Sequence, residues 1–146
     1  PLNGSGSAVR AVTADSLAGR NRALSRALLG MDAPAVTVET HLPGGLPGFT
    51  LVGLPETAVR EARDRVKSAI QNCGLEFPQG RVVVNLAPAD LVKEGARYDL
   101  AIAVSILCAT GQLPQRAAAG FEYLGELGLF GELRAVRGAL CAALAL

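Results

Sequence analysis

The residues able to do chemistry fall in two stretches. In the first, Arg60, Arg63 and Lys67 recur at helical spacing, with Asp64 and Gln71 among them. Side chains three and four apart share one face of a helix, so these cations form a stripe. The stripe has two readings: a solvated face laced by Arg60–Asp64 and Glu61–Arg65 pairs, or a surface that meets nucleic acid or a neighbouring subunit. The second stretch, 87–97, is a loop that gathers Asp90, Lys93, Glu94 and Arg97.

Other chemistries lack their parts. A phosphate cradle of the form Gly-x-x-x-x-Gly-Lys-Ser/Thr is absent, and Gly125-Glu126-Leu127-Gly128 lies in a strand and hairpin rather than a strand-to-helix loop, so no nucleotide site is assigned. The single histidine, His41, stands beside a turn, and Cys73, Cys108 and Cys141 are dispersed; together they make no tetrahedral metal set. Those cysteines read as reduced core thiols of a cytosolic protein. Ser68 and Ser105 fall inside helical patterns with no histidine placed as a base, so no catalytic residue is assigned.

The elements that must position these residues follow from composition and periodicity. With 146 residues, 50% hydrophobic and 18% charged, the chain suits one α/β unit with a sizeable core. A net charge of +1 selects no partner class. No apolar run reaches the ~18 residues of a membrane span, and the opening residues lack a signal-peptide plan. The apolar pattern is still running at Leu146, which reads as a piece of something longer.

Residues 1–7 have linker composition, 8–12 read as a short strand, and Asp15 or Ser16 could cap a helical turn. Residues 22–30 fit either an edge strand or a helical turn. Residues 36–40 alternate as a half-buried strand, Pro43-Gly44-Gly45 turn the chain, and 49–54 return, an antiparallel hairpin by this pattern. The stretch 44–57 then acts as a rigid strand-to-helix junction. Pro55 suits the first helical position and Gly74 ends the helix after Cys73, with Val59, Ala62, Val66, Ala69, Ile70 and Cys73 as its buried stripe.

Residues 81–86, rich in β-branched side chains, predict a central strand covered on both faces. Residues 98–110 predict a helix buried nearly all round, with Asp99 capping it or complementing its dipole and Gly111 ending it. Two strands, 123–127 and 133–136, join through Gly128, Phe130 and Gly131, and 139–146 predict a last apolar helix. Nothing repeats at a fixed interval.

Several of these stretches, in this order, also carry a resemblance. Gly45-Leu46-Pro47-Gly48-Phe49-Thr50-Leu51-Val52-Gly53-Leu54-Pro55-Glu56-Thr57, Asn85-Leu86-Ala87-Pro88-Ala89-Asp90-Leu91, Lys93-Glu94-Gly95 with Tyr98-Asp99-Leu100, Leu124-Gly125-Glu126-Leu127 and Arg137-Gly138 resemble the N-terminal domain of the magnesium-chelatase-like AAA+ ATPases of the YifB/ComM family. The match covers roughly 23–146 and leaves 1–22 as a linker, an extension, or a strand and helix moved from the other end of the domain. The resemblance implies a ribosomal-protein-S5-domain-2-like, Lon-protease-like fold, a mixed sheet with flanking helices, truncated at its C-terminal end. It also implies a bacterial cytoplasmic parent that is an AAA+ ATPase, uses ATP and Mg, self-associates in a ring and works as a DNA branch-migration helicase in natural transformation.

The Lon likeness raises a peptidase alternative. In that pattern the nucleophilic serine follows shortly after Lys-Asp-Gly; here Lys93-Glu94-Gly95 leads to Arg97 at the serine position. The catalytic lysine would fall near Ala142, where no lysine stands. With both dyad groups missing, the resemblance implies a non-catalytic module without a cofactor of its own, serving DNA engagement or ring assembly. If it engages DNA, Arg60, Arg63, Lys67, Lys93 and Arg97 are the expected contacts; the alternative is a protein–protein assembly module with no DNA role.

Overall fold

The computed structural model describes residues 8–10 by their backbone and 21–136 in full; the expected linker at 1–7, the turn at Asp15 or Ser16 and the helix at 139–146 lie outside the described residues. Along the chain come β1 (Ala8–Arg10), β2 (Arg22–Arg26), β3 (Ala35–His41), β4 (Gly48–Val52), α1 (Thr57–Arg60), α2 (Ala62–Asn72) and β5 (Arg81–Ala87). They are followed by α3 (Asp99–Ala109), α4 (Gln115–Ala118), β6 (Phe121–Tyr123), β7 (Glu126–Leu127) and β8 (Leu133–Arg134). Six strands form one mixed sheet in the order β1-β6-β2-β3-β5-β4, and β7 and β8 pair separately.

The expected β3–β4 hairpin does not form. β5 stands between them, antiparallel to β3 and parallel to β4. The reason is burial: Val82, Val84 and Leu86 are each fully buried, so β5 takes an interior position and β4, with Gly48 and Thr50, takes the edge. Parallel strands need a crossover, and α1 and α2 supply it. β2 settles the ambiguity of 22–30: it is an inner strand between β3 and β6.

The described α2 and α3 pack on one face of this sheet, against Val36, Val38, Leu51, Val82, Val84 and Leu86. Among the described residues no helix covers the other face of β5, where Val83 and Asn85 are half-buried. That side carries polar pairs: Asn85 Nδ2 donates to Glu39 Oε1 at 2.9 Å, Arg22 meets Glu39 at 3.3 Å, and Arg26 meets Glu122 at 2.6 Å. On this side β5 is half-solvated, whereas Leu24 and Glu122, 5% and 4% exposed, are buried along β2 and β6.

The helix expected over 55–73 is two pieces, α1 and α2, meeting at Glu61. Pro55 is not in it; it bridges to Lys93 instead. Val59, Ala62, Val66, Ala69 and Ile70 are buried as the stripe requires, whereas Cys73, past the last turn, is exposed. α3 lies in the middle of the core as expected, and its one internal hydroxyl, Ser105 Oγ, lies 2.7 Å from Thr40 Oγ1. The strand expected over 123–127 splits into β6 and β7, because Leu124 and Gly125 turn the chain out of the large sheet.

Candidate functional site

The two cationic stretches meet opposite fates, and the backbone at Gly53 decides one of them. Gly53 has φ +107°, and a Cβ there would overlap the Leu86 carbonyl, so the chain passes β5 at a distance only glycine allows. Leu54 follows with φ +60°. This turn leaves carbonyls pointing inward, and the 87–97 loop supplies their donors. The Lys93 N–H donates to Leu54 O at 3.1 Å, and the Glu56 N–H donates to Lys93 O at 3.0 Å. Lys93 Nζ donates to Gly53 O at 2.7 Å and also to Pro88 O.

Lys93 is thus fully buried, and burial holds its ammonium below the usual lysine range, with Asp90 opposing. Arg97 is buried too, 8% exposed, in a segment whose carbonyl accepts the Gly125 N–H at 3.1 Å. Both are withdrawn from the surface placement expected of them, Lys93 against backbone carbonyls and Arg97 in the wall of a cleft. An ammonium brings three donors, which suits it to carbonyls that a tight turn leaves without strand partners.

Beneath this loop Asp99 joins α3 to α2. Its carboxylate accepts from Arg65 Nε at 2.6 Å and Arg65 Nη2 at 3.1 Å, and from the Leu127 N–H at 3.1 Å. It does not cap its own helix. Burial pushes the Asp99 carboxyl above its usual range, while Arg65 and the Leu127 N–H pull the other way; the same hydrogen bond raises Arg65. Sequence reasoning paired Arg65 with Glu61 alone, a contact that is present at 3.6 Å. It missed Asp99, which lies far along the chain.

Arg60, Arg63 and Lys67 are exposed together on the outer face of α1 and α2, as expected. Arg63 Nε donates to Arg60 O at 3.1 Å, and Arg63 Nη1 to Phe49 O, on edge strand β4, at 3.4 Å. Among the described residues the expected Arg60–Asp64 pair is not formed, whereas Glu61 turns toward Arg65. Lys67 Nζ stands 5.6 Å from the centroid of the Phe77 ring, and Phe77 packs on Phe49 with centroids 5.5 Å apart. A cleft of about 450 Å³ opens here, lined by Phe49, Lys67, Gln71, Phe77 and Gln79 among others. Phe77 was not singled out from the sequence; two phenylalanines flanking a basic helix in a chain with 4% aromatic residues was the available signal.

A second cleft, of about 470 Å³, is bordered by Glu56, Glu94, Arg97, Tyr98 and Glu126. It holds Arg97, at the position where the peptidase pattern has its serine. Ser25 Oγ donates to Tyr123 O at 2.7 Å and Ser105 Oγ to Ile102 O at 2.9 Å, both in the interior. Among the described residues no three His, Cys, Asp or Glu groups could hold a metal ion. Cys108 is buried, which pushes its thiol up, and Cys141 lies outside the described residues. No helix of the described residues is long and apolar enough to cross a membrane.

Comparison with known proteins adds a lineage to this geometry. The profile of the family described as subunit ChlI of Mg-chelatase matches residues 38–146. The uncharacterized protein YifB of Salmonella typhimurium is 57% identical over 119 residues, covering 82% of this chain and 24% of its own length. The competence protein ComM of Haemophilus influenzae is 55% identical over 121 residues, covering 83% of this chain and 24% of its own. The uncharacterized protein Rv2897c of Mycobacterium tuberculosis is 45% identical over 124 residues, covering 85% of this chain and 25% of its own. The chain spans about a quarter of the length of these relatives.

Proposed function

The chain belongs to the ChlI family of Mg-chelatase-like proteins, together with YifB and ComM, and from that premise we propose that it is a non-catalytic, DNA-engaging module of a longer, cytoplasmic AAA+ ATPase. In this reading the fold is of the S5-domain-2 type shared with Lon peptidases, and ATP, Mg and the ring belong to the rest of the parent protein. The competence role in the name of its relative ComM agrees with a DNA substrate.

The observation that carries the reading is the outer face of α1 and α2. Arg60, Arg63 and Lys67 stand exposed there, while Glu61 is drawn toward Arg65, leaving Asp64 as the acid among three cations. Cations displayed on one face release condensed counterions when they meet a phosphate backbone, so binding must fall steeply with salt. A peptidase role is disfavoured by the interior placement of Ser25, Ser105 and Lys93.

The test is fluorescence anisotropy with a labelled oligonucleotide at rising salt. Log affinity is expected to fall linearly with log salt, and Arg60→Gln with Lys67→Gln should make that slope shallower by about two. Binding absent at 50 mM salt, or indifferent to salt, sinks the proposal. A second reading rests on Leu129 and Phe130, 50% and 75% exposed at the β7–β8 tip, which suit a protein contact within an assembly. Self-association in sedimentation that Phe130→Ser abolishes, with no DNA dependence, would favour it.

A further inference from the structure

The cleft beside α2 combines features that a bare phosphate-binding face does not need. Its wall is an aromatic pair, Phe49 and Phe77, with ring centroids 5.5 Å apart and planes inclined by 36°. Both rings are only partly buried, each packed on the core from one side. Over the Phe77 ring stands the Lys67 ammonium, 5.6 Å from its centroid. The amides of Gln71 and Gln79 line the same cleft, and Gly48 and Gly80 leave its floor without side chains. At its edge stands an exposed cation, Arg63, tied to Phe49 O at 3.4 Å.

A polyanion alone would be served by Arg60, Arg63 and Lys67. Aromatic rings next to those cations suit something flat as well as charged, and the amides offer donors and acceptors to a polar edge. Unpaired nucleotides have all of these properties, since an extruded base stacks on an aromatic ring while its phosphates track a basic groove. Bases inside a duplex offer no free face. The volume of about 450 Å³ lies in the range of small-molecule sites.

Resting on the DNA reading above, we propose that this cleft is a single-strand site in which an unpaired base stacks on Phe77 and its phosphates lie along Arg63 and Lys67. Lys67 occupies the ring face in the free protein by a cation–π contact. A stacking base takes that place and the long lysine side chain turns its ammonium to the phosphate. The site thereby prefers single strands and frayed or branched ends over intact duplex.

The experiment uses the chain as it stands, with a labelled oligo-dT of about 20 nucleotides and a duplex of equal length, at fixed low salt. Phe77→Leu keeps an apolar side chain against the core but removes the π face; oligo-dT binding should weaken about 5- to 100-fold, with the preference over duplex lost. The chain has no tryptophan, so Phe77→Trp introduces a single reporter. Its emission should be quenched as oligo-dT is added and unchanged by the duplex. Circular dichroism establishes that each variant is folded, and the quench decides if Phe77→Leu is not. Salt-sensitive DNA binding with no quench overturns the stacking site and leaves the basic face standing. No salt-sensitive binding at all overturns the DNA reading itself, and the site with it.

Discussion

The loop 87–97 and the outer face of α1 and α2 carry the same kinds of charge, yet they use it in opposite directions. In the loop, Lys93 is withdrawn from solvent and its ammonium donates to the backbone carbonyls of Gly53 and Pro88. On the helix, Arg63 also reaches a carbonyl, Phe49 O, but from outside, with its charge in water. The difference teaches that a cation's role here is set by the backbone beside it. Where Gly53 presses the turn against Leu86, carbonyls are sealed in and need a donor that comes with them. Beside a regular helix and an edge strand, no such demand exists, and the charge stays free for a partner.

The sharpest way to break this contrast is to remove the inward donor. Lys93→Met keeps most of the aliphatic stem and deletes the ammonium, leaving the carbonyls of Gly53 and Pro88 short of a partner in a dry place. Burying a polar group without its partner costs about 1–3 kcal/mol per group, so the variant should lose ~3 kcal/mol, read as a fall in denaturant midpoint at unchanged slope. A midpoint equal to that of the wild type would mean that the ammonium is not what closes the junction.

A smaller effect is expected at the end of the same loop. Tyr98 is 1% exposed, and burial pushes its hydroxyl up from an ordinary 10.0 to about 12. The folded state therefore holds this proton more tightly than the unfolded chain. Its contribution is fully present below pH 10 and is lost as the pH rises through 12. Lys93, held below its usual range, works the other way as the pH rises toward its ordinary 10.5, so only a comparison isolates the tyrosine. Thermal melts between pH 9 and 11.5 should fall less steeply for Tyr98→Phe than for the wild type. Parallel curves would show that Tyr98 titrates as if in water.

These predictions fall where the sequence was hardest to read. The stripe from Val59 to Ile70, the end at Gly74 and the interior α3 were legible because each depends on local periodicity and a single stop residue. The β3–β4 hairpin was misread because alternation along two consecutive strands says nothing about a third that inserts between them. Only the apolar run Val82-Val83-Val84 hinted that β5 belongs inside. Lys93 and Arg97 looked like surface charges because a loop's composition does not show which way its carbonyls face. Arg60, Arg63 and Lys67 were legible as a face, while Phe77 was hidden in what looked like a plain turn. Its neighbour Phe49 comes from β4, and only the crossover brings the rings together.

The smallest effect on stability is expected on the outer face, and it is the one that separates function from fold. Arg60 and Lys67 are exposed, and neither forms an ion pair among the described residues. Surface substitutions of this kind change stability by no more than about 0.5 kcal/mol. Arg60→Gln and Lys67→Gln together should leave the denaturant midpoint unmoved, while DNA affinity drops and its salt slope flattens. Lys93→Met does the reverse in this comparison: once the protein is folded, an ammonium that never faced solvent has no phosphate contact to lose. A folded Lys93→Met variant with the slope of the double glutamine variant would place the loop cation on the binding surface and erase the distinction between the two regions.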